Sequence, residues 1–365
     1  MSEWKEYKLG EIAVLNYGKA LAENKRISGN VPVYSSAGIT GWHNEPLVNS
    51  EGLIIGRKGT IGKVYYSNTP FFCIDTAYYI LPNEKIYDLK FLFYKLKTVG
   101  FEDLNEDSAV PGLNRETAYN QEVLLPQLPE QKAIASVLSS LDNKIDLLHR
   151  QNSTLEKMAE TLFRQWFIEE AKEREKTKIG LVLETVLGGT PSTKKPEYWD
   201  GTIPWINSGE VNNFRILKPT KFITELGLAE SNTKLLPIGT TVLAITGATL
   251  GQISLLEIST CANQSVVGII PNETYPKEYV FLWIKYMIDE IILNETGGAQ
   301  PHINKNDVNE TEILVPCNDD LEFIESKIKP LFKKISINSF QINTLIELRD
   351  SLLPKLMSGE IIVEF

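Results

Sequence analysis

One pattern occurs twice along this chain, and that duplication limits what it can fold into more than any other feature. Gly59-Thr60-Ile61-Gly62 recurs as Ala248-Thr249-Leu250-Gly251 at an offset of 189, and Ile80-Leu81-Pro82-Asn83-Glu84 recurs as Ile269-Ile270-Pro271-Asn272-Glu273 at the same offset. Val31-Pro32-Val33-Tyr34-Ser35-Ser36 echoes Ile203-Pro204-Trp205-Ile206-Asn207-Ser208 at an offset of 172, so the second copy carries an insertion of about 17 residues between these blocks. Val110-Pro111-Gly112-Leu113-Asn114 matches Gln300-Pro301-His302-Ile303-Asn304, and Val123-Leu124-Leu125-Pro126 matches Ile313-Leu314-Val315-Pro316, both at an offset of 190. Several blocks in one order imply a duplicated structural unit.

Each copy reads as β-rich. VLNYG, LIIGRKG, KVYYS and AYYILP in the first, and TVLAITG, QISLL and SVVGIIP in the second, are short strand-like runs separated by Gly, Pro and Asn. One helix per copy is predicted, near residues 89–98 and 277–292, where apolar residues recur at helical spacing. After each copy comes a longer helix with a countable heptad seam. Ile134, Leu138, Leu141, Ile145, Leu148, Asn152, Leu155, Ala159, Leu162 and Trp166 alternate steps of four and three. Adding 190 gives Ile324, Ile328, Leu331, Ile335, Asn338, Ile342, Leu345, Arg349, Leu352 and Leu356, in the same register.

The order domain, helix, domain, helix implies antiparallel pairing of two such helices, with the domains at opposite ends about a pseudo-twofold axis. A helix from 134 to 166 would span about 50 Å. Pro129, with Glu130 and Gln131 behind it, suits a first helical turn, where a missing N–H costs nothing and acidic groups favour the dipole. Pro330 falls inside the second helix by this register, so a kink or a late start is expected there.

The chain has 365 residues and 42% hydrophobic content, enough for two domains or more. No apolar run reaches the length of a membrane helix, and the N-terminus lacks a leader pattern, so a cytoplasmic location is expected. Cys73, Cys261 and Cys317 are isolated and far from His43, His149 and His302, which predicts buried structural thiols and neither disulfides nor a zinc site. His149 and the acidic pairs Glu169-Glu170 and Asp319-Asp320 read as solvated helix charge. Phosphate-binding, zinc-protease and methyltransferase cofactor motifs are missing, so no catalytic or metal-binding residue is assigned.

Three regions have a constitution suited to nucleic acid. The first is Gly56 to Lys63, a glycine-rich turn carrying Arg57, Lys58, Thr60 and Lys63. Here glycines admit a phosphate, cations neutralise it, and Arg57 can fork onto guanine. Its counterpart from Thr246 to Gln252, with Thr246 and Thr249, keeps glycines and loses every charge. The second is the turn Tyr34-Ser35-Ser36, matched by Asn207-Ser208. The third is Asn114-Arg115, matched by Gln300, His302, Asn304 and Lys305; Asn114 and Asn304 can bond adenine or cap a local turn. The net charge of -10 opposes bulk electrostatic coating of nucleic acid, so any nonspecific affinity would have to come largely from partners.

The helix EQKAIASVLSSLDNKIDLL with TLFRQWF at its end, and the closing SLLPKLMSGEI, make the whole chain resemble the specificity (S) subunits of type I restriction-modification systems. The resemblance implies an α+β fold: two small mixed α/β target-recognition domains joined by two long antiparallel coiled-coil helices. The boundaries expected are 1–128 and 177–318 for the recognition domains, with 129–176 and 319–365 for the spacer helices. It implies a non-catalytic DNA-reading subunit whose domains each read half of a split, asymmetric site in double-stranded DNA. Its partners would be two methyltransferase subunits and restriction subunits, which use S-adenosylmethionine, ATP and Mg²⁺, while this chain binds no cofactor. One departure is the start of the second helix, CNDDLEFIESKIKPLF, where the first has LPEQKAIASVL. Two alternatives remain at this stage: an adaptor on the same plan without base-specific readout, and an enzyme of an unrecognised kind.

Overall fold

Short runs of β-branched and aromatic residues form the strands, and the breaks at Gly, Pro and Asn fall where the chain turns. The computed structural model describes residues 4–104, 112–170, 174–293 and 303–363. They divide into two units, residues 1–145 with 344–365 and residues 146–343. Both long helices are therefore shared: each unit holds one copy of the repeat and a stretch of each helix.

In the first unit an antiparallel sheet runs in the order Asn16–Tyr17, Ala77–Ile80, Gly52–Gly56, Val64–Ser67. A second sheet joins Gly38–His43, Val31–Ser35 and Phe72–Cys73, the last pair parallel, and a ribbon pairs Lys5–Lys8 with Glu122–Leu125. The second unit repeats all three: Glu184–Leu187, Val266–Ile270, Thr241–Ala244 and Ile253–Leu256; then Lys221–Ile223, Trp199–Ile206 and Cys261–Ala262; then Lys176–Lys178 with Glu312–Leu314. The insertion supplies a fifth strand, Arg215–Ile216, parallel to Leu255–Leu256. The predicted domain helices are Leu89–Leu96, capped by the Asp88 side chain, and Lys277–Leu293.

The long helices are Leu128–Arg164, extended by a π turn over Gln165–Glu169, and Asn318–Phe323, a π turn over Ile324–Ile328, then Lys329–Ser358. Pro330 lies just past the second π turn. A residue inserted into the turn shifts the carbonyl that the proline ring would strike, which is the disruption its position foretold. Within each unit the helices run antiparallel and the seam residues meet. In the first, Ile134 and Leu138 share a core with Leu356 and half-buried Leu352, while Arg349 bridges to Asp142 at 2.9 Å. In the second, Ala159 and Phe163 share a core with Ile324, Ile328 and Leu331, and Trp166 stacks flat on Phe323 with centroids 4.3 Å apart. Of the remaining seam positions Ile145, Leu148, Ile335 and Ile342 are buried, and Leu141, Leu155, Leu162 and Leu345 half-buried. One layer is polar: Asn338 donates to Asn152 at 2.9 Å, and Asn152 donates to the Ser339 hydroxyl at 3.2 Å, all three buried.

Two readings need correction, those of Asp320 and Cys317. Glu130 and Gln131 stand in the first helical turn, as expected, and are buried there. Glu130 accepts the Trp4 indole at 3.2 Å, and Gln131 accepts the Asp88 amide while donating to the carbonyls of Ile86 and Pro126. Asp320, read as solvated, is 1% exposed and accepts from Trp166 at 2.8 Å, Arg174 at 2.7 Å and the Cys317 amide at 2.9 Å. A buried carboxylate is tolerable only with such a set of donors. Burial opposes its charge, but these donors outweigh it and hold the carboxyl below its ordinary range. Finally, Cys73 and Cys261 are buried, with burial pushing their thiols up to about 12 and about 11, but Cys317 is exposed. His149 is exposed, as expected.

Three outcomes follow from this packing. Asn338→Leu alone should cost roughly 1–3 kcal/mol, because it leaves Asn152 buried without its donor, whereas Asn152→Leu with Asn338→Leu should recover most of that loss in urea denaturation. Asp320→Asn should lower stability at neutral pH and flatten its acid dependence. A carboxyl held low in the folded state contributes above its unfolded pKa, and that contribution fades as pH falls through the depressed value. A thiol reagent should label one cysteine quickly in the native chain and three after denaturation.

Candidate nucleic-acid interface

The glycine-rich loop of the first unit closes the hairpin between Gly52–Gly56 and Val64–Ser67. Gly56 donates to the Lys63 carbonyl and Gly62 to the Gly56 carbonyl, both at 2.9 Å. A Cβ on Gly56 would stand 2.1 Å from the Thr60 oxygen, and one on Gly62, at φ +74°, would stand 2.4 Å from the Glu102 nitrogen. These two glycines therefore serve the turn itself rather than an approaching phosphate. Gly59 alone faces open space, with only the Ser36 hydroxyl near it at 3.8 Å.

The three regions singled out in the sequence converge in this unit. Arg57 and Lys58 donate their amides to the Thr76 carbonyl, Ser36 donates its amide to the Thr76 hydroxyl, and Leu113, next to Asn114, donates to the Arg57 carbonyl at 2.8 Å. The side chains then sort themselves. Lys58 and Thr60 are exposed, and Lys63 is occupied by Glu102 at 3.0 Å. Tyr34 belongs to the core, edge-on to Phe71, and Ser35 is used in its own turn, accepting from the Ala37 amide. Asn114 caps the helix Arg115–Tyr119 by accepting from the Glu116 amide at 2.8 Å.

At the centre is a residue the sequence reading passed over. The ring of Tyr17, 47% exposed, has two guanidinium groups over it, Arg57 at 5.0 Å and Arg115 at 5.1 Å from its centroid. Cation–π contact gathers both cations at one half-exposed ring. Arg57 also lies 5.7 Å from the Tyr78 ring and donates to the Asp75 carbonyl at 2.9 Å. Among the described residues no carboxylate pairs with Arg57, and Arg115 has only a distant one, Glu116 at 3.9 Å. Burial, then the neighbouring Tyr17 hydroxyl, pushes Tyr78 up to about 12, so it stays a neutral phenol donating to the Leu113 carbonyl. The available signal was Tyr17-Gly18 itself: Gly18 is obligatory, since a Cβ there would stand 2.0 Å from the Ile74 oxygen.

The second unit keeps the frame and changes its chemistry. Gly188 repeats Gly18, donating to the Val266 carbonyl as Gly18 does to Ala77; Ile245 donates to Ser265 as Arg57 does to Thr76; and Ile303 donates to Ile245 as Leu113 does to Arg57. These bonds assign Ile245, not Thr246, to the place of Arg57, because the second loop is one residue longer: Gly251 bonds to Ala244 where Gly62 bonds to Gly56. Leu187, Ile245, Val267 and Lys305 thus replace Tyr17, Arg57, Tyr78 and Arg115. Thr246 and Thr249 sit half-buried in the uncharged loop, Asn207 is held by Glu210 and the Gly209 amide with Ser208 half-buried beside it, and Asn304 caps Lys305–Glu310. Gln300 and His302 lie outside the described residues.

Among the described residues no group of His, Cys, Asp and Glu is arranged to hold a metal ion, and no helix is long and apolar enough to cross a membrane.

A family model described as type I restriction modification DNA specificity domain matches residues 1–157 and 171–348. The chain is 26% identical over 337 residues to the MjaIX specificity subunit of Methanocaldococcus jannaschii, covering 86% of this chain and 78% of that one. It is 22% identical over 466 residues to the HindI specificity subunit of Haemophilus influenzae, covering 99% and 100% respectively. A crystal structure of a type I restriction-modification S subunit from M. genitalium matches with a TM-score of 0.69 at 18% identity, over 97% of this chain and 96% of that one, a likeness of fold.

The two kinds of glycine should respond differently to a methyl group. Gly247→Ala, at φ +70° with nothing nearby, should cost about 1–2 kcal/mol from backbone strain alone. Gly62→Ala adds a clash with backbone and should cost distinctly more, a difference measurable by chemical denaturation.

Proposed function

Because the chain belongs to the type I restriction-modification DNA specificity family, we propose that each of its units reads one half of a split, asymmetric DNA site and that the paired long helices set the gap between the halves. As a specificity subunit it is the non-catalytic member of its system. The observation that carries the proposal is the repeated frame with two different surfaces: identical backbone bonds present Tyr17, Arg57 and Arg115 in one unit and Leu187, Ile245 and Lys305 in the other. Two copies of one reader would match a symmetric site; two unlike readers on one chain match an asymmetric one.

The assembly proposed has two methyltransferase subunits, which modify adenine with S-adenosylmethionine, and restriction subunits that use ATP and Mg²⁺. The acidic balance of the chain fits this division, since the partners would supply the cations that hold DNA without regard to sequence.

Replacing residues 1–128 by the first domain of another specificity subunit should change one half of the methylated motif and leave the other half and the gap as they were. Inserting one heptad into both long helices should lengthen the gap and leave both halves intact. The readout is the motif methylated by the reconstituted methyltransferase complex; a heptad insertion that alters a half-site would contradict the assignment of reading to the domains.

A further inference from the structure

Resting on that reading, we infer that the Arg57–Tyr17–Arg115 stack takes an anionic or acceptor-rich group of DNA in the first half-site, and that the second unit contacts its half-site without an equivalent. The inference comes from what the repeat retains and what it replaces. Three backbone bonds beneath the stack recur in the second unit, within a few tenths of an ångström: 3.2 and 2.9 Å at Gly18 and Gly188, 2.9 and 3.0 Å at Arg57 and Ile245, 2.8 and 3.0 Å at Leu113 and Ile303. Even the close approach that excludes a side chain recurs, with an added Cβ 2.0 Å from the Ile74 oxygen at Gly18 and 2.1 Å from the Asn263 oxygen at Gly188. On this unchanged frame the four side chains of the stack all differ. A packing requirement would have kept their shape. What changes is aromaticity, one of the two charges and, at Lys305, the guanidinium fork, the properties that decide which edge of a nucleic acid a surface can meet.

The stack is also prepared for a ligand. Arg57 is fixed from two sides, by the Tyr17 and Tyr78 rings and by the Asp75 carbonyl, so little rotamer freedom remains to be lost on binding. Its bond to Asp75 uses Nη1, and no carboxylate among the described residues neutralises it. The Nε of Arg115 is buried without a hydrogen-bond partner. In a chain of net charge -10, two guanidinium groups left without close carboxylates on one exposed ring form a local exception. Guanidinium forks match either a phosphodiester or the N7 and O6 edge of guanine. In the second unit buried Ile245 offers no such fork, and Leu187, 42% exposed, presents an apolar surface that suits a thymine methyl.

The test uses the full chain reconstituted with its methyltransferase, and duplexes carrying the motif that the wild-type complex methylates. Arg57→Gln and Arg115→Gln should each lower binding roughly ten- to a hundredfold on duplexes with an intact first half-site; scrambling that half-site abolishes the loss if a base edge is the ligand and preserves it if phosphate is. Arg57→Lys, which keeps the charge and loses the fork, separates the two sources. If phosphate is the ligand, Lys restores affinity and the salt slope, which falls by about 0.9 per lost contact in the Gln variant. If guanine is the ligand, Lys leaves one position of the first half-site relaxed. Either result supports the inference, and the lysine variant also reports that the fold is intact. Binding and salt slope unchanged in both Gln variants would overturn it. Absence of any two-part motif from the wild-type complex would instead count against the function it rests on.

Discussion

An apolar seam cannot be left facing water, and the rest of this molecule is arranged around covering two of them. Within each unit a stretch of the first long helix is covered by a stretch of the second, and the domain of that unit closes over the pair. In the first unit Tyr94 donates to Asp142 at 2.6 Å while Lys95 donates to the Met357 carbonyl at 2.9 Å. In the second, Lys285, the repeat counterpart of Lys95, bridges Glu156 at 2.8 Å and Glu160 at 2.6 Å. The same position of the domain helix thus reaches the long helices in both units, by different chemistry. Apolar layers supply most of the stability, and the buried Asn152–Asn338 layer supplies selectivity, since the Asn152 oxygen finds the Asn338 donor only when the two meet.

The duplicated sheets that rest on these helices show where a constant frame ends and variation begins. Hydrogen bonds at Gly18, Arg57 and Leu113 recur at Gly188, Ile245 and Ile303 because they belong to the backbone and are indifferent to side chains. Side chains facing outward from the frame carry no such constraint. The insertion is absorbed in the same way, as one more strand at the edge of a sheet, where Arg215–Ile216 adds to Leu255–Leu256 without disturbing the order of the others.

The seam, the strands and both domain helices were legible in the sequence because each rests on a periodicity that local counting detects. Pro330 was legible too, as a disruption whose form, a π turn, was not. What could not be read were the contacts that depend on tertiary approach. Asp320 looks like any acid at a helix start until Trp166 and Arg174 close over it. The interface shows the same limit. Arg57 and Arg115 were visible as cations, but they lie 58 positions apart, and only the fold brings both onto the ring of Tyr17. Asn114 and Asn304, attractive as adenine readers, spend their side-chain oxygens on helix caps. The constant offset of 189 would set Thr246 opposite Arg57, but one extra loop residue shifts the match to Ile245, and hydrogen bonds reveal it where residue identities do not.

The central claim is that one chain holds two unlike readers on a constant spacer. Its most direct test is to map methylated adenines across a genome in cells expressing the chain with its methyltransferase partner. The account requires one two-part motif with unlike halves and a single fixed gap. A continuous motif, two identical halves, or methylation without sequence preference would contradict it.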